Sequence, residues 1–133
     1  MPGLNPYNEA FTRLLSTLNP GQRAAVDQTE GPVLVLAGPG TGKTQVLAAR
    51  IGNILLTTDT RPQNILCLTF TDAGVSAMRQ RLLTLIGPDA HRVPIMTYHS
   101  FCNRVIQENM EYFGQKDMEP LSELERIAII RGI

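Results

Sequence analysis

A chain of 133 residues with 43% hydrophobic side chains has enough apolar content for one buried core, and its 12 basic and 12 acidic residues cancel to a net charge of zero. That balance gives no global sign of a nucleic-acid binder, although the stretch up to Ile106 carries a net +3 and the rest a net −3, so an anionic partner should prefer the first part. Two cysteines without metal or disulfide spacing, no signal-peptide profile at the N-terminus and no apolar run of membrane length exclude a secreted disulfide scaffold or a membrane span, and a cytoplasmic setting is expected.

Tyr7, Phe11, Leu14, Leu15 and Leu18 recur at helical spacing, which predicts a first helix with one buried face. Asn19 suits an N-cap, Pro20 the first helical position and Gln22 the third residue after the cap, so 19–26 reads as a second helix that Gly31-Pro32 ends. Val33 to Leu36 reads as a first strand running into a glycine-rich loop, and Leu47, Ile51, Ile54 and Leu55 give the following helix its apolar stripe. Ile65 to Phe70 is a second strand, nearly continuous in apolar residues as a strand covered on both faces should be. Thr71 can cap the next helix, with Asp72 favourable against its dipole; Val75, Met78, Leu82 and Leu85 form the stripe and Gly87-Pro88 the stop. Val93 to Met96 is a short third strand. A helix with Tyr98, Phe101, Cys102, Val105, Ile106 and Met110 on its buried side then runs to about Gly114. Ser122 and Glu125 have capping-box spacing for a last helix carrying Leu121, Leu124 and Ala128 on one side. Alternating strands and helices predict crossover connections and a parallel sheet with flanking helices, an α/β fold.

The loop Ala37-Gly38-Pro39-Gly40-Thr41-Gly42-Lys43-Thr44 carries the chemistry. Three glycines in five positions let the backbone turn its N–H groups inward into a concave anion nest. Lys43 adds a full charge, the Thr44 hydroxyl is an oxygen ligand of the kind Mg²⁺ accepts, and the following helix points its positive end at the same place. The glycine spacing does not fit a dinucleotide fingerprint, in which Lys43 and Thr44 would have no role. Only Lys43 and Lys116 are lysines among the twelve cations.

Three further stretches stand in fixed order around this loop: 18–26 (LNPGQRAAV), 69–72 (TFTD) and 97–101 (TYHSF). Together with it they resemble the N-terminal ATPase domain of the UvrD/Rep-type superfamily-one DNA helicases, where they are the Q motif, motif Ia and motif Ib. The likeness runs from about Phe11 to the final helix. It implies a RecA-like P-loop NTPase fold, present in part: residues 1–115 as the N-terminal portion of the ATP-binding domain and 116–133 as the start of a following helical segment. By the same likeness Gln22 would hold the adenine edge, Lys43 the β and γ phosphates and Thr44 the Mg²⁺ of bound ATP, with the nucleotide set comprising Gln22, Ala37, Gly38, Pro39, Gly40, Thr41, Gly42, Lys43, Thr44 and Gln45. Lys43 and Thr44 would be its catalytic members. Gln22 has a plainer reading as the residue that closes the capping box. Thr69, Phe70 and Thr71, with Thr97, Tyr98 and His99, would meet single-stranded DNA; for Phe70 the periodicity alone favours a core position.

The sequence departs from the family at two places. Gln45 stands where an arginine usually follows the threonine, which removes a cation able to stack on a base. Asp72-Ala73-Gly74-Val75 replaces the usual Asn-Lys-Ala-Ala, exchanging a positive charge for a negative one beside the DNA path. No apolar run followed by Asp-Glu occurs, so the carboxylates that hydrolysis needs are expected from a longer protein. Its remaining motor domains would be partners in the same chain, and a DNA duplex junction would be met by the whole enzyme. The 133 residues alone are expected to bind Mg-ATP weakly and not to turn it over, and open sheet edges invite self-association. The competing readings are a small P-loop nucleotide kinase or transferase, which lacks a basic lid cluster after the loop, and a non-catalytic nucleotide- or DNA-binding module.

Overall fold

The computed structural model describes residues 6–113 and 121–132. Helices α1 (Pro6–Thr17), α2 (Pro20–Asp27) and α3 (Lys43–Thr57) precede strand β1 (Cys67–Thr69), helix α4 (Asp72–Ile86) and strand β2 (Ile95–Thr97). They are followed by α5 (Tyr98–Glu108), the single turn α6 (Met110–Phe113) and α7 (Glu123–Arg131). The strands form a two-stranded parallel sheet in the register Cys67↔Ile95, Leu68↔Met96 and Thr69↔Thr97, and α4 is the crossover between them. The architecture is therefore α/β. The chain divides into two compact units, Met1–Thr97 and Tyr98–Ile133.

In the first unit, α3 is the spine. Val46 and Ala49 pack with Ala25 and Val26 of α2, while Ala48 and Ile51 join Met78, Leu82 and Leu85 of α4 and the strand residues Cys67 and Ile95. Two sets of neighbours leave α3 only a narrow solvent face, and Leu47, expected in its buried stripe, lies on that face at 48% exposure. Small residues take the buried positions because α1, α2 and α4 all approach the helix. A Cβ on Gly52 would stand 2.8 Å from Phe11 Cε2, closer than packed carbons approach. The carbonyls at the C-terminal end of α2 have no partner within their own helix; two of them are met from α3, Ala25 O by Arg50 Nη1 at 2.6 Å and Val26 O by Asn53 Nδ2 at 3.1 Å.

The stripe expected on α4 is observed, with Met78, Leu82 and Leu85 buried and Val75 packed against them. Arg79 on the same helix donates to the carbonyls of Ala90 and, at 2.7 Å, Val93, tying α4 to the 3₁₀ segment Gly87–Arg92 that leads into β2. The caps are also as expected: Asn19 and Gln22 form a reciprocal capping box, and the Thr71 hydroxyl accepts from Gly74 N at 3.0 Å. On α1, Phe11 is buried and Leu14 and Leu15 are half-buried, as is Leu18 just past its end; the Tyr7 side chain lies outside the described residues.

Two expectations fail. Val33 to Leu36 is not a strand: it has no ladder partner among the described residues, and its side chains are 39%, 85%, 49% and 88% exposed. An apolar run becomes a strand only when a neighbour takes up its N–H and C=O groups, and none of the described residues does so here. The side of α5 expected to be buried is not: no residue of the helix is buried, Tyr98 is 44% and Val105 38% exposed, and Cys102 is exposed. Within its own unit that helix packs mainly on the four-residue α6, which cannot cover an eleven-residue face. Gly114, its expected end, lies outside the described residues; the helix stops at Glu108. The second and third strands are shorter than expected, Ile65 to Phe70 contracting to Cys67–Thr69 and Val93 to Met96 shifting to Ile95–Thr97, because only the paired residues count as ladder. The final helix does start on the Ser122–Glu125 capping box, with Leu124 80% exposed.

Candidate functional site

The glycine loop is held open by its own backbone. Gly40 and Gly42 take φ values of 73° and 75°, a region that an L side chain rarely enters, and the Thr41 hydroxyl closes the turn onto Gly38 O at 2.6 Å. Gly42 is the N-cap of α3 and offers no side chain to its first turn. Hydrogen bonding begins with the N–H groups of Gln45 and Val46, both donating to Gly42 O, so among the described residues the Lys43 and Thr44 N–H groups have no acceptor in the chain. Two donors and the positive end of a fifteen-residue helix thus face one concavity of about 300 Å³, lined by residues 40–45 and Arg81. Lys43 folds back on the loop, donating to Gly38 O at 2.7 Å and Ala37 O at 3.3 Å. Carbonyl oxygens are modest partners for an ammonium, and an anion in the nest would draw Lys43 away from them. Ala37 to Thr44 are all exposed, so nothing in the first unit blocks entry.

Gln22 is brought to this loop from α2. Its Oε1 accepts from Asn19 N at 3.0 Å while its Nε2 donates to Thr41 O at 3.0 Å, so the capping residue is also a strut under the loop. One amide hydrogen and one lone-pair direction remain for a ligand. Gln45 lies half-buried in the first turn of α3, and Arg81 Nη1 from α4 stands 3.5 Å from its Oε1. The sequence carries no signal for Arg81 at this site. It is 36 positions from Gln45 and in sequence looks like any exposed residue beside the α4 stripe.

The two further stretches of polar and aromatic residues meet through strand register. Thr69 and Thr97 are Cα partners at the carboxyl ends of the two parallel strands, where ligands gather in open α/β sheets. Phe70 is 82% exposed, which rules out the core position that periodicity favoured. Thr71 is exposed with its hydroxyl engaged as a cap, Thr69 is half-buried and Thr97 is buried. Gly74 explains part of the unusual local sequence: a Cβ there would stand 2.5 Å from Thr69 Oγ1 and 3.2 Å from Thr71 Oγ1, so the glycine makes room for both hydroxyls. Tyr98 and His99 open α5 in the second unit, and both are exposed.

The same geometry bears on what could hold a divalent cation. Among the described residues no group of three or more His, Cys, Asp or Glu side chains is arranged to hold a metal ion. The exposed Thr44 hydroxyl beside the nest suits the one-ligand role that Mg²⁺ accepts when phosphate oxygens and water supply the rest.

Residues 18–133 match the family model described as UvrD/REP helicase N-terminal domain. The ATP-dependent DNA helicase PcrA of Bacillus subtilis is 37% identical over 127 residues, covering 95% of this chain and 17% of the relative. PcrA of Staphylococcus aureus (strain Mu50) is 34% identical, with 90% and 17% covered, and a probable DNA helicase II homolog of Rickettsia conorii is 45% identical over 100 residues, with 75% and 15% covered. The chain thus spans about a sixth of the length of these relatives.

Proposed function

The chain belongs to the UvrD/REP helicase N-terminal domain family, and on that premise we propose that it is the ATP-binding portion of an ATP-dependent DNA helicase or translocase acting on single-stranded DNA. The observation that carries the reading is the loop itself: an open nest with two uncommitted N–H donors and a lysine parked on its own carbonyls. The nest would hold the phosphates of ATP, with Lys43, released from Gly38 O, paired to the β and γ phosphates and Thr44 as the hydroxyl ligand for the Mg²⁺ that accompanies them. Magnesium neutralises charge on the phosphates; this chain's residues bind and orient them. In this reading residues 1–115 are the first part of a RecA-like domain and 116–133 begin a helical segment. Gln22 couples adenine contact to loop shape through Thr41 O.

Single-stranded DNA crosses the carboxyl edge of the strands. Phe70 offers an exposed ring for a base and Thr69 and Thr71 offer hydroxyls to phosphates; Tyr98 and His99, exposed in the second unit, are candidate DNA contacts there. Thr97, being buried, supports that edge from beneath. The remaining motor domains of the helicase supply the carboxylates and arginine that hydrolysis requires, and a duplex junction is met by the whole enzyme.

Titration of this chain with Mg-ATP tests the reading, with Lys43→Ala as control. Weak binding that the substitution abolishes is expected, without turnover. Equal binding by both proteins, or none by either, sinks the phosphate assignment; robust DNA-stimulated hydrolysis by these residues alone sinks the claim that the rest of the machinery lies elsewhere.

A further inference from the structure

Between α1 and α4, within the first unit, lies a cavity of about 600 Å³ that takes an arginine from each helix, Arg13 and Arg81. No Asp or Glu lines it. Most other described arginines are matched: Arg23, Arg92, Arg104 and Arg126 each lie against a carboxylate three or four positions away, and Arg50 and Arg79 are spent on backbone carbonyls. Among the described residues Arg13 has neither hydrogen bond nor ion pair, although Glu9 stands one turn before it, and Arg81 has only Gln45 Oε1 at 3.5 Å. The cavity therefore suits an anion, and its remaining lining says which kind. Thr17 Oγ1 gives its hydrogen to Leu14 O at 2.7 Å and Thr84 Oγ1 to Gln80 O at 3.1 Å, so both hydroxyls have only lone pairs left to offer. A phosphodiester has no hydrogen for them; a peptide backbone has its N–H groups. No aromatic ring lines the cavity for a base to stack on, whereas Leu14 and Leu85 give it aliphatic contact.

We propose that this groove docks a short acidic peptide segment of a partner protein, its carboxylates held by Arg13 and Arg81, its backbone N–H groups donating to the Thr17 and Thr84 hydroxyl oxygens, and an aliphatic side chain resting on Leu14 and Leu85. A guanidinium fork matches a carboxylate in plane and spacing, which a lone ammonium does not. Gln80, exposed on α4 with its side-chain amide unpartnered among the described residues, can donate to or accept from the same backbone. The volume falls within the ~300–1,000 Å³ of sites that enclose a small ligand, so it fits a few residues of peptide and not the face of a folded domain. The inference does not depend on the ATP reading, because Arg13, Thr17 and Thr84 line this groove and not the loop concavity.

Titration of the 133-residue chain at low salt, followed by backbone amide NMR shifts, tests the groove with three probes: an end-capped Glu-Glu-Leu-Glu-Glu peptide, its Gln-Gln-Leu-Gln-Gln counterpart and a short oligothymidylate. The acidic peptide is expected to shift amides of α1 and α4 and to bind at least about fivefold more tightly than the neutral one. Arg13→Ala and Arg81→Ala each weaken it about three- to fivefold, and Thr84→Val, which removes the acceptor at nearly the same volume, weakens it as well. Arg61→Ala, which removes an exposed cation outside the groove, leaves it unchanged. All four side chains are exposed, so folding is not at stake. Lys43→Ala also leaves peptide binding intact; a loss there would put the carboxylates in the glycine nest and overturn the groove. Equal binding of the two peptides, or an effect of Arg61→Ala as large as that of Arg13→Ala, would overturn it too. Oligothymidylate that shifts the same amides with the same dependence on Arg13 would make the groove a nucleic-acid site instead, and self-association of the chain that Arg13→Ala removes would assign it to a second copy; either result overturns the acidic partner.

Discussion

Helices α4 and α5 are both amphipathic in sequence, and they meet opposite fates. Helix α4 places Met78, Leu82 and Leu85 under α1, α3 and the two strands, and Leu82 is fully buried. Helix α5 has the steeper separation of apolar and polar sides, yet it has no buried residue, and α7 after it leaves Leu124, Ile129 and Ile130 more than half exposed. Amphipathic periodicity says which face wants cover; whether cover exists depends on what other elements the chain brings there. The first unit has enough layers to close a core, and the second keeps apolar surface of a kind that other domains usually cover.

The comparison can be broken most sharply by truncating equivalent leucines. Leu82→Ala should cost about 2–5 kcal/mol in a thermal or denaturant melt, whereas Leu124→Ala should fall within about 0.5 kcal/mol of wild type; similar losses at the two would mean that α7 is buried after all. Gly52→Ala, which drives a methyl group into the Phe11 ring, should destabilise by about 1–3 kcal/mol, and Phe11→Leu in the same background should recover part of that loss.

The two cysteines report on the two units separately. Burial pushes the Cys67 thiol above its ordinary value, with the nearby Arg79 opposing it to a lesser degree, while Cys102 is exposed. A thiol-specific disulfide reagent near neutral pH should therefore modify Cys102 at least about tenfold faster than Cys67, and denaturant should erase the difference. Equal rates in the native protein would deny the first unit its core.

The smallest effect is a pH dependence at the cap of α7. Hydrogen bonds from the Ser122 hydroxyl and backbone N–H hold the Glu125 carboxyl below its ordinary value of 4.5. A carboxyl lowered in the folded state supports the helix above its unfolded pKa and loses that support as the pH falls through the folded one. Protection of the α7 amides, their exchange measured against the intrinsic rate at each pH, should accordingly fall on acidification below about 4.5, and Glu125→Gln should flatten the response. A pH-independent α7 would show that the capping box does not hold the helix.

Much of the loop's geometry is legible in the sequence because its parts are local. The nest depends on glycines next to one another, the caps on residues three apart, and the α4 stripe on a repeat within one helix. Where a role depends on a distant neighbour, reading along the chain fails. Val33 to Leu36 has the composition of a strand and lacks the partner; Phe70 has the periodicity of a core residue and points to solvent. Nothing in the sequence around Gly74 signals that the Thr69 and Thr71 hydroxyls stand against it.

The sequence by itself therefore determined the glycine turn before α3, the helix starts and the α/β alternation, since backbone freedom at glycine, capping and side-chain period act over a few residues. Tertiary structure alone decided that Thr69 and Thr97 stand side by side, that Gln22 braces the loop at Thr41 and that Arg81 approaches Gln45. Those contacts join residues 19 to 36 positions apart, and only the packing of α2, α3 and α4 around two parallel strands brings them within reach.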